Sequence, residues 1–176
     1  VTLVYFLIPH KIRYLWLLGA SYYFYMNWEP VYALLLFTST LVTYLAARGI
    51  GHFEDKRRKK ICLVVGLVLN LAALGLFKYY NFLASNIERL LHMFGIGIDL
   101  PGFGLLLPVG ISFYIFQALG YSIDVYRGTT KVEKDFPTYA LFVSFFPQLV
   151  AGPIERSNNL LPQFKQQHQL DYQALM

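Results

Sequence analysis

Of the 176 residues, 56% are hydrophobic and 18% aromatic but only 14% charged, and the mean hydropathy is +0.45. A soluble globular domain carries roughly 25% charged residues, so this composition excludes an ordinary soluble fold. The formal net charge of +5 is not spread over one face; it collects between apolar runs.

Val1–Ile8 is apolar from its first residue, with no initiator Met, no basic segment ahead of it and no small-residue cleavage site, so it does not read as a secretory signal. It reads as the end of a helix that begins upstream. Five uncharged runs follow: Tyr14–Trp28, Pro30–Ala47, Ile61–Phe77, Leu100–Ile123 and Phe136–Ile154, of 15, 18, 17, 24 and 19 residues. A helix needs about 17 to 25 mainly apolar residues to cross the hydrocarbon core. Four runs meet that length, and the short first one is bounded by Arg13, whose long stem suits snorkelling to the headgroups.

If each run crosses once, Lys11, Arg13, Arg48, the Lys56–Lys60 cluster KRRKK, Arg127, Lys131 and Lys134 share one side, and only Lys78 and Arg89 fall opposite. The positive-inside rule then makes the basic loops cytoplasmic. This topology accounts for the net charge without nucleic acid, which would require a basic face with aromatic platforms. KRRKK instead opens an apolar helix and fits anionic lipid headgroups.

Between the crossings, Asn81–Gly95 is amphipathic, with Leu83, Ile87, Leu90 and Phe94 on one stripe. It either lies in the outer interface or continues the preceding span. Gly95–Gly104 reads as a loop. Tyr22, Tyr23, Tyr25 and Trp28 sit near a membrane edge, as anchoring aromatics do.

Cys62 is the single cysteine, which rules out a disulfide framework and a cysteine zinc site within this span; as the second residue of an apolar run it reads as a buried structural thiol. Neither a GxxxxGK loop nor an HExxH pair occurs. His10, His52, His92 and His168 all fall in loops or polar edges, so no catalytic and no metal-binding residue is assigned.

Two polar islands remain. In Leu107–Gly128, Pro108 breaks a membrane-length run, Gly110 and Gly120 suit close helix contact, and Gln117 lies deep enough that its amide requires a partner. Asp124 and Arg127 are three apart, spaced to form an ion pair ending a helix or to line a polar path. In Phe145–Arg156, FFPQLVAGPIER, Pro147 removes a backbone donor and obstructs the preceding turn, so a helix from about Thr138 ends or kinks there. Gly152 and Pro153 mark a second break. Arg156 then sits at the foot of a broken helix, either snorkelling to the inner leaflet or presenting its fork to a phosphate or carboxylate.

PVGISFYIFQ, YSIDVYRG and FVSFFPQLVAGPIER, in this order and spacing, together with LIPHKIRYLWLLGASYYFYMNWEP upstream, resemble the membrane-bound O-acyltransferase family. The resemblance covers nearly the whole chain and implies an all-α fold: a polytopic transmembrane helical bundle of about five to six segments, one broken near Pro147, with an amphipathic helix besides. It implies that residues 1–176 are the amino-terminal part of one multi-span domain, truncated at both ends, in the bacterial inner membrane. The implied activity moves an acetyl or other small acyl group from a cytoplasmic-side thioester such as acetyl-CoA, a substrate and not a bound cofactor, to hydroxyls of an exported polysaccharide such as alginate. Partners implied are the bilayer, the polymer and other proteins of an export and acetylation complex. The family's base is a histidine on a later intramembrane segment, so this span alone is expected to be inactive. Gln117, Asp124, Arg127, Gln148 and Arg156 are expected to shape a tunnel or its cytoplasmic mouth. The alternative is a channel or transporter module whose broken helices line a path, although no internal repeat supports it.

Overall fold

A computed structural model describes residues 1–27, 30–95, 97, 110–152 and 155–166. Eight helices follow one another among these residues: α1 (Thr2–Leu7), α2 (His10–Met26), α3 (Pro30–His52), α4 (Lys56–Met93), α5 (Ile111–Arg127), α6 (Phe136–Ser144), α7 (Phe146–Ala151) and α8 (Ser157–Lys165). The fold is all-α, and α3 and α4 are long and apolar enough to cross a membrane.

α3 is the hub, packing on α2, α4, α5 and α6. Its buried residues are largely small or hydroxylated, among them Ser39, Thr40, Thr43, Ala46 and Ala47, with Ser39 and Ala46 set against α4. Small residues let membrane helices approach closely where burial of apolar surface supplies no driving force. The hydroxyls cost nothing there, because Thr40 donates to the Leu36 carbonyl and Thr43 to that of Ser39. α4 answers with Gly66, Asn70 and Leu74, spaced four apart and buried. Ser39 Oγ donates to Asn70 Oδ1, and Asn70 Nδ2 donates to the Gly66 carbonyl at 2.9 Å, so this polar pair is closed on itself. Cys62, half-buried, lies against Gly49 in the same seam.

A Cβ on Gly66 would stand 2.8 Å from the Ala46 Cβ, and neither atom can rotate away. Gly66→Leu is therefore expected to cost about 1–3 kcal/mol through overpacking and to lower the thermal unfolding midpoint of purified protein. Gly75→Ala, whose Cβ would meet nothing within 4 Å, should leave the midpoint unchanged or raise it.

Asn81–Gly95 follows the second of its two readings, continuing the preceding span, while several other expectations are revised. α4 runs unbroken for 38 residues, about 57 Å at 1.5 Å per residue, because Lys78, Glu88 and Arg89 are all compatible with helix and neither Gly nor Pro interrupts it after Gly75. Tyr25 is not an interfacial anchor. It is buried, its ring edge-on to Tyr114 at 6.2 Å, and Tyr22 is half-buried, whereas Tyr23 is exposed. Trp28 lies outside the described residues. Arg13 turns back on α1, donating from Nε to the Ile8 carbonyl at 2.9 Å with its guanidinium over the Tyr5 ring. Gly120 has open space at its Cβ position and no close helix neighbour.

The largest revision concerns Phe136–Ile154. α6 has nine residues and α7 six, and the chain is broken between them at Phe145. α8 then comes back to the end of the bundle from which α6 departs. There Lys165 Nζ meets Glu133 Oε2 at 2.6 Å, Thr130 donates to Asn158 Oδ1 at 2.6 Å, and His10 Nε2 donates to the Gln166 carbonyl at 2.9 Å. Over its described residues, a run with the length and composition of a crossing is thus a hairpin of two short helices.

Candidate functional site

The site is organised by the break at Phe145. α6 starts cleanly, since the Asp135 carboxylate accepts from the Thr138 amide and Pro137 occupies the first turn, where a missing N–H costs nothing. Its end is forced by Pro147, whose ring is incompatible with a helical carbonyl four residues earlier. The break falls at Phe145, two residues before the proline, because Pro147 then takes the first turn of α7. Gly152 closes α7, its amide donating to the Gln148 carbonyl at 3.0 Å. Pro108 and Pro153 lie outside the described residues.

A helix broken inside a bundle leaves backbone groups without intrahelical partners, and side chains of α5 and α2 meet them. Gln117 Nε2 donates to the Phe142 carbonyl at 2.8 Å and lies 3.3 Å from Gln148 Oε1. From α2, Ser21 Oγ accepts from the Phe146 amide at 3.3 Å while donating to the Leu17 carbonyl. Gln117 and Gln148 are buried, at 3% and 7% exposure. Gly152 makes room for this arrangement, because a Cβ there would lie 2.8 Å from Gln148 Cα.

The Gln117 Oε1 and the Tyr114 hydroxyl, one turn apart on α5, are both buried and have no hydrogen-bond partner among the described residues. Such groups are costly in a dry interior. Together they offer an acceptor, and a hydroxyl that donates or accepts, to whatever enters the bundle beside the break. Deeper in the same interior, Tyr139 donates to Thr43 Oγ1 at 2.8 Å. On its other flank the break borders a mainly apolar cleft of about 380 Å³ whose walls include Tyr5, Leu17, Phe145, Pro147 and Phe164.

The structure thus brings Gln117 and Gln148 together and keeps the other three expected residues apart from them. Asp124 and Arg127 lie two and three turns further along α5, and no ion pair joins them. Arg127 is exposed as the last helical residue, and the Asp124 carbonyl accepts from the Thr129 amide at 3.0 Å. Arg156, also exposed, precedes α8, with its amide donating to Glu155 Oε2. Ser21 and Tyr114 were not singled out by the sequence, since a serine and a tyrosine in apolar helices carry no signal of what they face.

No protein-family profile and no solved structure matches the chain. Curated relatives do. The chain is 38% identical over 170 residues to the probable alginate O-acetylase AlgI of Azotobacter vinelandii, covering 96% of this chain and 34% of that protein. It is 38% identical over 162 residues to the probable alginate O-acetylase AlgI of Pseudomonas aeruginosa, covering 92% and 31%. The chain belongs to the membrane-bound O-acyltransferase family. A third relative, the peptidoglycan O-acetyltransferase of Helicobacter pylori, is 33% identical over 175 residues, covering 86% of this chain and 32% of that protein. The chain spans about a third of the length of these curated relatives. In this member of the membrane-bound O-acyltransferase family, the hairpin and its two buried amides place non-helical backbone inside the bundle, where protein side chains satisfy it.

Proposed function

We propose that this chain forms the scaffold and part of the substrate path of a polysaccharide O-acetyltransferase of the bacterial inner membrane, with several membrane crossings. The observation that carries the reading is the buried Gln117–Gln148 pair at a broken helix, in a chain whose relatives are named as O-acetylases and an O-acetyltransferase. The donor is acetyl-CoA or another small acyl thioester on the cytoplasmic side, and the acceptor is a hydroxyl of an exported polymer such as alginate, delivered by other proteins of an export and acetylation complex. Acyl transfer to a hydroxyl requires a base for its proton and a site closed to competing water. His10, His52 and His92 stand at helix ends, so the base is expected from a histidine elsewhere in the full-length protein. Gln117 and Gln148 hold the path open beside the hairpin, while Asp124, Arg127 and Arg156 stand toward its cytoplasmic mouth.

The orientation rests on charge. With α8 back at the end from which α6 departs, Arg156 and Lys165 join the basic side, which then holds thirteen of the fifteen lysines and arginines. By the positive-inside rule that end is cytoplasmic.

The test is transfer of labelled acetyl from acetyl-CoA to polymer in membranes carrying the full-length protein. Wild-type membranes should acetylate the polymer, and changing one intramembrane histidine outside this span to alanine should abolish transfer. Polymer or ion flux from folded protein, with no acyl transfer to any of several acceptors, would replace the enzyme reading by a transport one.

A further inference from the structure

The end of α3 and the loop after α5 meet in a cleft that plays no part in the site above. Arg48, Gly51, His52, Val132 and Lys134 line an open cleft of about 200 Å³. Three of these five residues are basic, and none is acidic. The acidic side chains close by are turned elsewhere: Glu133 accepts from its neighbours' amides and from Lys165, Asp135 from Thr138, and Asp55 from the Arg57 amide, while Glu54 does not line the cleft.

The backbone of the cleft is fixed. A Cβ on Gly51 would lie 2.6 Å from Val132 Cγ2, so only glycine lets the loop settle onto α3. Lys134 is pinned by Tyr44, whose hydroxyl donates to its carbonyl at 2.6 Å, and by its own amide, which donates to Glu133 Oε1 at 3.0 Å. The Arg48, His52 and Lys134 side chains are left exposed. Their combination of a planar fork, an imidazole and a mobile ammonium matches the oxygens of a phosphate.

Size and surroundings indicate which phosphate. Pockets for drug-sized molecules run from about 300 Å³ upward, so the cleft takes a headgroup and not a whole nucleotide. On α3 the positions 34, 38, 45, 48 and 52 share one helical face. Leu34 and Leu45 are exposed there, and the Thr38 hydroxyl is satisfied by the Leu34 carbonyl. An apolar stripe on a crossing helix thus leads directly to the basic cleft. KRRKK opens α4 just beyond it and adds to the positive potential.

We propose that this cleft is a binding site for an anionic phospholipid, with the headgroup phosphate held by Arg48, His52 and Lys134 and an acyl chain lying along the Leu34–Leu45 stripe of α3. The experiment is native mass spectrometry of the full-length protein titrated with phosphatidylglycerol or phosphatidylcholine. Wild-type protein should retain phosphatidylglycerol in preference to phosphatidylcholine, and Arg48→Gln with Lys134→Gln should weaken phosphatidylglycerol binding on the order of tenfold. Lys78→Gln with Arg89→Gln, at the far end of the bundle, should leave it unchanged. Leu45→Asn, which keeps every charge, should also weaken it. An unaltered thermal unfolding midpoint in phosphatidylcholine separates loss of the site from loss of the fold. Equal phosphatidylglycerol binding by wild type and the Arg48/Lys134 variant overturns the proposal. So does binding of inorganic phosphate that depends on these two side chains while phosphatidylglycerol binding does not.

Discussion

Replacing Gln117 by leucine should lower acyl transfer by the full-length protein roughly 10- to 100-fold. The Phe142 carbonyl loses its donor at 2.8 Å and Gln148 loses its neighbour at 3.3 Å. Removing one partner of a buried hydrogen bond costs about 1–3 kcal/mol, and here the cost falls on the backbone that shapes the break. Gln148→Ala should act in the same direction. Gly152→Ala should reproduce part of the effect without removing any polar group, because the new Cβ would press on the Gln148 backbone at 2.8 Å. Arg127→Ala and Arg156→Ala, both at exposed positions, should change the rate far less. The readout is the initial rate of acetyl transfer at matched amounts of folded protein. A Gln117→Leu variant that melts early yet transfers at the wild-type rate would reduce the residue to a structural role.

The second large effect is all-or-none. With cysteines placed singly at Lys131, Asn159 and Arg89 in a cysteine-free full-length background, Lys131→Cys and Asn159→Cys should label from the same face of the membrane and Arg89→Cys from the other. All three positions are exposed. A membrane-impermeant thiol reagent applied to spheroplasts should reach position 89 at once, and positions 131 and 159 only after the bilayer is opened. Were the stretch from Phe136 to Ile154 a crossing, position 159 would label with position 89.

The helices that carry the bulk of the fold were legible because their signal is local. Pro30–Ala47 and Ile61–Phe77 are apolar over membrane length, and they form α3 and the first half of α4. What misled was reading charge as a boundary. α2 begins at His10 and includes Arg13, and α4 passes through Lys78 and Arg89, since helix formation tolerates charged residues that a bilayer excludes. Pro147 announced a break, but composition could not tell a kinked crossing from a hairpin that turns back. That distinction lies in contacts between distant residues, such as Lys165 with Glu133, 32 positions away. Gln117 stood out as an amide in an apolar run, whereas its neighbour 31 residues on could not be assigned from pattern. Tyr25 shows the opposite failure: aromatics near a helix end look the same whether they face headgroups or, as here, another tyrosine in the core.

The hairpin also constrains the order in which the protein is assembled. Each of α3 and α4 closes its own backbone hydrogen bonds and is stable in lipid as soon as it is made. α6 and α7 are not, because the groups freed at their junction are met by Gln117 of α5 and Ser21 of α2. Until α2, α3 and α5 stand together, those groups have only water to bond. The hairpin is therefore expected to pack after α2 and α5, into a groove those helices have already built.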